Sequence, residues 1–120
     1  MAIAVGSAVG GVLRYGVSTG VYAIAGRDFP YGTLAVNVLG SLMIGVLFVV
    51  LVERLDVSSV WRIALLVGLL GSFTTFSTFS IESLTLMQAG DWLKASANII
   101  LSVSVCIAAT WLGFKLARMI

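Results

Sequence analysis

The hydrophobic positions of the chain fall into four long runs separated by three short polar stretches. The runs cover about residues 1–25, 32–52, 61–87 and 93–116, and the first polar stretch carries Pro30, the only proline. Because a helix needs about 20 apolar residues to cross a bilayer, each run is long enough to span a membrane once. The pattern predicts an all-α membrane protein of four transmembrane helices, forming a single domain over residues 1–120.

The composition supports the same class of protein. The chain is 60% hydrophobic and 10% charged, with a mean hydropathy of +1.14, whereas soluble domains carry about 25% charged residues. The first run is too long and too glycine-rich for a cleaved signal peptide, and it has no basic segment before it. We expect a compact multi-pass unit with no soluble domain at either end.

Several function classes are disfavoured by what the sequence lacks. It has no histidine, a single cysteine, Cys106, and no pair of carboxylates within one run, so most metal sites, thiol redox motifs and acid/base dyads have no residues to build them. The seven Lys and Arg residues are scattered singly, which gives no basic patch for nucleic acid. We expect neither an enzyme nor a nucleic-acid-binding protein.

The third run contains an unusual polar stretch from Gly71 to Ser80. Phenyl rings recur every third residue, at Phe73, Phe76 and Phe79. Between them lie six hydroxyl residues: Ser72, Thr74, Thr75, Ser77, Thr78 and Ser80. Unpaired polar groups are costly in hydrocarbon, and a strand face would repeat every second residue. The stretch predicts a helix facing protein or a water-lined path, broken near Gly71 because glycine tolerates irregular backbone.

Polar residues inside the other apolar runs leave alternatives open. Arg14 costs roughly 2.5–3.5 kcal/mol at a helix centre, so it either lines a cavity or extends to the membrane surface. Asn37, on the same helix face as Thr33, either donates to an anion or bonds a neighbouring helix. Glu82 is either a solvated helix end or the mouth of a polar path.

The fourth run carries a small-polar stripe. Ser102, Cys106 and Thr110 recur every fourth position and share one helix face. Single hydroxyls in membrane helices also bond their own helix carbonyls, and Cys106 is expected to serve as a small packing residue.

These features together favour passage of a small anion. Proton-coupled exchange needs a titrating group in the path, and none lies at clear mid-membrane depth. Hydroxyl and amide hydrogens donate to an anion, and phenyl rings offer their positive edges. Freed carbonyls at a helix break can hold a cation. One four-helix chain has little room for a pore, so we expect a two-fold dimer; the residues alone do not select fluoride.

Three motifs in order make a resemblance specific. They are Gly10-Gly-Val-Leu-Arg-Tyr15, Pro30-Tyr-Gly-Thr-Leu-Ala-Val-Asn-Val-Leu-Gly-Ser41 and Gly68-Leu-Leu-Gly-Ser-Phe-Thr-Thr-Phe-Ser-Thr-Phe-Ser80. In length, span count and motif order the chain resembles the CrcB/Fluc family of fluoride channels. The resemblance implies an antiparallel, dual-topology homodimer with two pores in the cell (inner) membrane, which exports fluoride passively from the cytoplasm and lowers its toxicity.

The resemblance also implies roles for individual residues. Phe76 and Phe79 match the paired pore phenylalanines, and Asn37 matches the donor from the second helix. Further residues match positions that line or adjoin the polar path: Thr33, Ser77, Thr78, Ser80 and Glu82. Arg14 matches the vestibule arginine. Backbone carbonyls at two matched positions would hold a structural Na⁺ at the dimer centre: Gly71 and Thr74.

Two departures from the family pattern stand out. Phe73 precedes the Thr-Thr pair where a small residue is common, and Cys106 stands where a hydroxyl is expected in the fourth helix. A thiol is a weaker donor than a hydroxyl, so we expect the fourth helix to contribute less to the polar path than the family pattern implies.

Two other classes of protein share some of these features. A small multidrug exporter of the four-helix type has the same length and dimeric form, but such exporters use a glutamate in the first helix, where this chain has Arg14 and no acidic residue. A non-transporting membrane subunit would use its glycine-rich helices for assembly alone, which does not explain the dense hydroxyls of the third run.

Overall fold

The computed structural model describes residues 1–120, and its regular secondary structure is entirely helical. The α-helices, with two π-helical segments between them, are α1 (Ala2–Ala25), α2 (Tyr31–Phe48) continued by π-helical Val49–Arg54, α3 (Ser59–Arg62) continued by π-helical Ile63–Leu70, α4 (Gly71–Phe73), α5 (Phe76–Gln88) and α6 (Trp92–Met119). The prediction of an all-α protein is confirmed.

Three helical stretches are long and apolar enough to cross a membrane. They are Tyr31–Arg54 with 24 residues, Ser59–Gln88 with 30 and Trp92–Met119 with 28. They correspond to the second, third and fourth hydrophobic runs. The first run forms α1, which also has 24 residues, but its glycines and Arg14 make it less apolar, and it is not among the three.

The helices pack through close backbone contacts. α6 lies mainly against α2, and α1 lies against α2 and the π-helical segment Ile63–Leu70. A Cβ added to Gly45 would meet the carbonyl of Thr110, and one added to Gly113 would meet the carbonyl of Leu42. Glycine at these two positions therefore allows α2 and α6 to approach at the backbone, as small residues do between membrane helices.

The helical stretch Ser59–Gln88 is broken near its middle, as predicted, and the break begins three residues after Gly71. Gly71 is helical, with φ −61° and ψ −34°. The backbone is extended at Thr74, with φ −85° and ψ 160°, and at Thr75, with φ −151° and ψ 115°. Both conformations are open to any L-residue and suit β-branched threonine, so no glycine is needed. The Thr75 hydroxyl then caps α5 by accepting from Thr78 N at 3.3 Å.

Candidate functional site

A cavity of about 360 Å³ lies beside the break and collects polar groups from different helices. The residues that it brings together from the sequence predictions are Asn37, Gly71, Thr74, Phe76, Phe79 and Cys106, with Thr75 and Ser102 beside them. None of the residues that line the cavity carries a charge. An uncharged wall with hydroxyl, amide and aromatic groups is therefore available to a ligand in this cavity.

Asn37 joins α2 to the break by hydrogen bonds in both directions. Its Nδ2 donates to the carbonyl of Thr75 at 3.0 Å, and the backbone N–H of Thr75 donates to its Oδ1 at 2.7 Å. Asn37 thus bonds a neighbouring helix, one of the two alternatives from the sequence. Because an amide nitrogen carries two hydrogens, the second one remains for another acceptor.

The break changes which carbonyls have helical partners. In a continuous α-helix each N–H donates to the carbonyl four residues earlier. Here Thr75 N–H donates to Asn37 instead of Gly71, and Thr78 N–H donates to the Thr75 hydroxyl instead of the Thr74 carbonyl. The backbone carbonyls of Gly71 and Thr74 therefore both lose their usual donors.

The hydroxyls of the third span are largely bonded within the chain. The Thr74 hydroxyl donates to the Leu70 carbonyl at 3.0 Å, and Ser80 donates to the Phe76 carbonyl at 3.0 Å. Further hydroxyl contacts form a small cluster at the start of α5: Thr75 with Thr78 at 3.0 Å and Thr75 with Ser77 at 3.4 Å. Ser77 and Ser80 are exposed on this single chain, and Thr78 is half-buried.

The three phenylalanines of the stretch do not act as one group. Phe76 and Phe79 have ring centroids 5.3 Å apart at an interplanar angle of 57°, and both line the cavity. Phe79 is buried, whereas Phe76 is 77% exposed. Phe73 is buried and does not line the cavity, so it packs inside the protein and is not part of the cavity wall.

Thr33 and Glu82 meet at a different place, near the 26–30 turn. The Glu82 carboxylate accepts hydrogen bonds from the Tyr22 hydroxyl at 2.9 Å and from the Thr33 hydroxyl. The guanidinium of Arg27 lies 4.6 Å from the centroid of the Tyr22 ring. Glu82 lines a separate cavity of about 220 Å³ with Tyr22, Arg27 and Asp28, so this charged cluster stands apart from the neutral one.

Arg14 is half-buried on α1 and lines neither cavity. The hydrogen bonds and the one ion pair of the structure, between Arg118 and Glu53, do not involve its side chain. Its vestibule role stays a prediction.

The sequence analysis missed a buried polar group at the α5–α6 contact. Asn98, 2% exposed, donates from Nδ2 to Ser83 Oγ at 2.9 Å and accepts from Ser102 Oγ at 3.4 Å. A signal was present, because Asn98 extends the four-residue repeat of Ser102 and Cys106 by one turn. Tyr22 was missed as well, and no pattern in the sequence distinguishes it from an ordinary interfacial tyrosine.

Comparison with known proteins gives a consistent result along the chain. The family model described as "CrcB-like protein, Camphor Resistance (CrcB)" matches residues 1–114. Similar relatives carry the name "Fluoride-specific ion channel FluC": the protein of Methylococcus capsulatus is 51% identical over 98% of this chain and 51% of its own length. That of Coxiella burnetii is 50% identical over 97% and 94%, and that of Magnetococcus marinus is 50% identical over 98% and 96%. This chain therefore spans about half of the first relative and nearly all of the other two.

Proposed function

The chain belongs to the CrcB family and is a multi-pass membrane protein, and from this we propose that it is a fluoride-specific channel. It would let fluoride leave the cytoplasm passively across the cell membrane and so lower its toxicity. The observation that carries the proposal is the uncharged cavity at the break, where Asn37, Phe76 and Phe79 meet. The names of the curated relatives supply the identity of the ion.

The lining of this cavity suits a small anion on chemical grounds. Asn37 has a remaining N–H donor, and the edges of the Phe76 and Phe79 rings carry partial positive charge. Because no fixed cation lies in the wall, an anion would be held by several weak contacts rather than by one strong pair. Sites of modest strength allow both entry and exit, which conduction requires.

We propose four transmembrane spans, with α1 as the first. Its 24 residues would extend about 36 Å at 1.5 Å per residue, enough for the hydrocarbon core of about 30 Å. Its lower hydropathy is acceptable because its glycines pack on protein: a Cβ on Gly6 or Gly10 would meet the backbone at Ala64 and Leu69.

We propose that two copies assemble as an antiparallel homodimer with two pores. Phe76 is 77% exposed, so a cavity-lining residue is uncovered on the single chain, and a second copy would cover it. The antiparallel arrangement and the two pores follow from the family resemblance.

A structural sodium ion at the dimer centre is a further part of the proposal, and one observation of the chain fits it. The carbonyls of Gly71 and Thr74 have both lost their helical donors, and carbonyls freed at a broken membrane helix are suitable ligands for sodium. These two residues would hold the ion, and the ion would neutralise carbonyl dipoles that otherwise face one another between subunits.

Other matched residues would serve the approaches to the path. Arg14 would raise the local concentration of anions at a vestibule. Thr33 and Glu82 would form a polar mouth near the 26–30 turn, where Thr33 and Tyr22 hold the carboxylate. Three further hydroxyls would line the path at the start of α5: Ser77, Thr78 and Ser80.

The deciding experiment is anion efflux from liposomes that contain the purified chain, with fluoride compared with chloride and sodium present throughout. We expect fast fluoride efflux without chloride efflux and without an imposed proton gradient, with protein-free liposomes as the control. A well-folded dimer that releases no fluoride would refute the proposal and favour a non-transporting subunit. Movement of organic cations driven by a proton gradient would favour the four-helix exporter.

A further inference from the structure

A buried amide joins α5 to α6 behind the wall of the neutral cavity. Asn98 is 2% exposed and does not itself line the cavity. It donates to Ser83 on α5 at 2.9 Å and accepts from Ser102, one turn along α6, at 3.4 Å. Because a buried polar group without a partner is destabilising, the three side chains depend on one another.

The two partners of Asn98, Ser83 and Ser102, are both connected to the wall of the cavity. Ser83 follows Phe79 by four residues on α5, and residues with this spacing share a helix face. Ser102 lines the cavity together with Phe79. Asn98 therefore can affect a ligand in the cavity only through these neighbours, not by touching it.

The need for such a bridge comes from the break. α5 begins after the extended residues Thr74 and Thr75, so the helix before the break does not fix how α5 is rotated about its own axis. On the side of α1 and α2, Glu82 holds α5 through Tyr22 and Thr33. On the side of α6, Asn98 holds α5 through its hydrogen bond to Ser83.

We infer that Asn98 is a positioning residue of the anion path: through Ser83 it fixes the rotation of α5 that presents Phe79 to the cavity. The inference rests on the function proposed above. Without the bridge, α5 can turn and the Phe79 ring can move from the cavity wall, which both removes a contact for fluoride and widens the space for larger anions.

The test is a double variant, Asn98→Leu with Ser83→Ala, assayed for fluoride and chloride efflux in liposomes. Replacing both partners of a buried hydrogen bond by apolar groups is close to neutral for stability, and Ser102 can bond the carbonyl four residues before it. We expect a dimer with wild-type thermal stability, fluoride efflux lowered on the order of tenfold, and a reduced ratio of fluoride to chloride efflux. Ser96→Ala, an exposed hydroxyl on α6, is the matched control and should behave as wild type.

The outcomes separate this inference from the proposed function. If the wild-type chain passes no fluoride, the proposed function fails. If the wild type passes fluoride and the assembled double variant has the same rate and the same selectivity, the positioning role of Asn98 is refuted. If the double variant does not assemble, Ser83→Ala alone decides: an unchanged fluoride-to-chloride ratio in that variant overturns the inference.

Discussion

The side chain of Asn37 forms both hydrogen bonds that the backbone of Thr75 would form in a continuous helix. It donates to the Thr75 carbonyl and accepts from the Thr75 N–H, 38 residues along the chain. An extended residue in the middle of a membrane span would otherwise leave both groups unpaired, at a cost of several kcal/mol each in hydrocarbon. The break in the third span and the amide on α2 therefore depend on each other.

This relationship predicts the behaviour of two substitutions at Asn37. Asn37→Ala removes both bonds and the remaining donor, so we expect a loss of about 1–3 kcal/mol in stability for each of the two Thr75 backbone groups left unpaired and a strong fall in fluoride efflux. Asn37→Asp keeps an acceptor for Thr75 N–H but places a negative charge in the path, so its efflux should fall as well. Measured efflux equal to wild type in both variants would remove Asn37 from the path.

Phe76 offers a test that leaves the fold of the single chain intact. Because Phe76 is 77% exposed, Phe76→Ile should not alter helix packing, and the loss of the aromatic edge should lower fluoride efflux. The dimer should still form on size-exclusion chromatography. Phe48→Ile is a suitable control, since Phe48 is also exposed, at 43%, and does not line the cavity. Equal efflux in the two variants would argue against a pore role for Phe76.

Gly40 is predicted to set the position of Thr74. A Cβ at Gly40 would run into Cγ2 of Thr74, so Gly40→Ala should cost about 1–3 kcal/mol as an overpacked contact and lower fluoride efflux by displacing the break. Thr74→Ser removes that methyl group and keeps the hydroxyl that bonds the Leu70 carbonyl.

The double variant, Gly40→Ala with Thr74→Ser, should therefore recover most of the lost thermal stability and efflux. A double variant as impaired as Gly40→Ala alone would show that the contact with the Thr74 methyl group is not the cause.

Removal of sodium should weaken assembly. If the freed carbonyls of Gly71 and Thr74 hold the ion, exchange of sodium for a bulky organic cation during purification should increase the fraction of monomer, since opposed carbonyl dipoles would lose their counter-charge. The measurement is the dimer fraction at equal protein concentration in the two salts, with potassium as a third condition. A dimer fraction that is the same in all three salts would contradict the assignment.

Cys106 tests the contribution of α6 to the path. The thiol is half-buried and lines the cavity, and a hydroxyl is a better donor than a thiol. Fluoride efflux should be retained or raised in Cys106→Ser and lowered in Cys106→Val. The exposed Ser104 on the same helix supplies a control in Ser104→Ala. If efflux is the same in all these variants, Cys106 contributes packing but no contact to the ion.

Much of the architecture was determined by the sequence itself. Hydropathy and run length can be determined from the sequence alone, and they predicted an all-helical membrane protein with apolar runs at about 32–52, 61–87 and 93–116, which overlap the three helical stretches able to cross a membrane. The stretch of phenyl and hydroxyl groups predicted a helix that faces protein or a water-lined path, because its composition suits neither a lipid-facing helix nor a strand, and glycine predicted the break near Gly71. Three ordered motifs were enough to indicate the family.

Other features were decided only by the tertiary structure. The break, predicted near Gly71, lies at Thr74 and Thr75, because Asn37, 38 residues before Thr75, supplies the hydrogen bonds that an extended backbone needs there. Likewise, the four-residue repeat on α6 could point to Asn98, but only the packing of α5 on α6 decides that its amide bonds Ser83. A sequence shows which residues carry donors and acceptors, but the rotation and depth of each helix determine which of them meet.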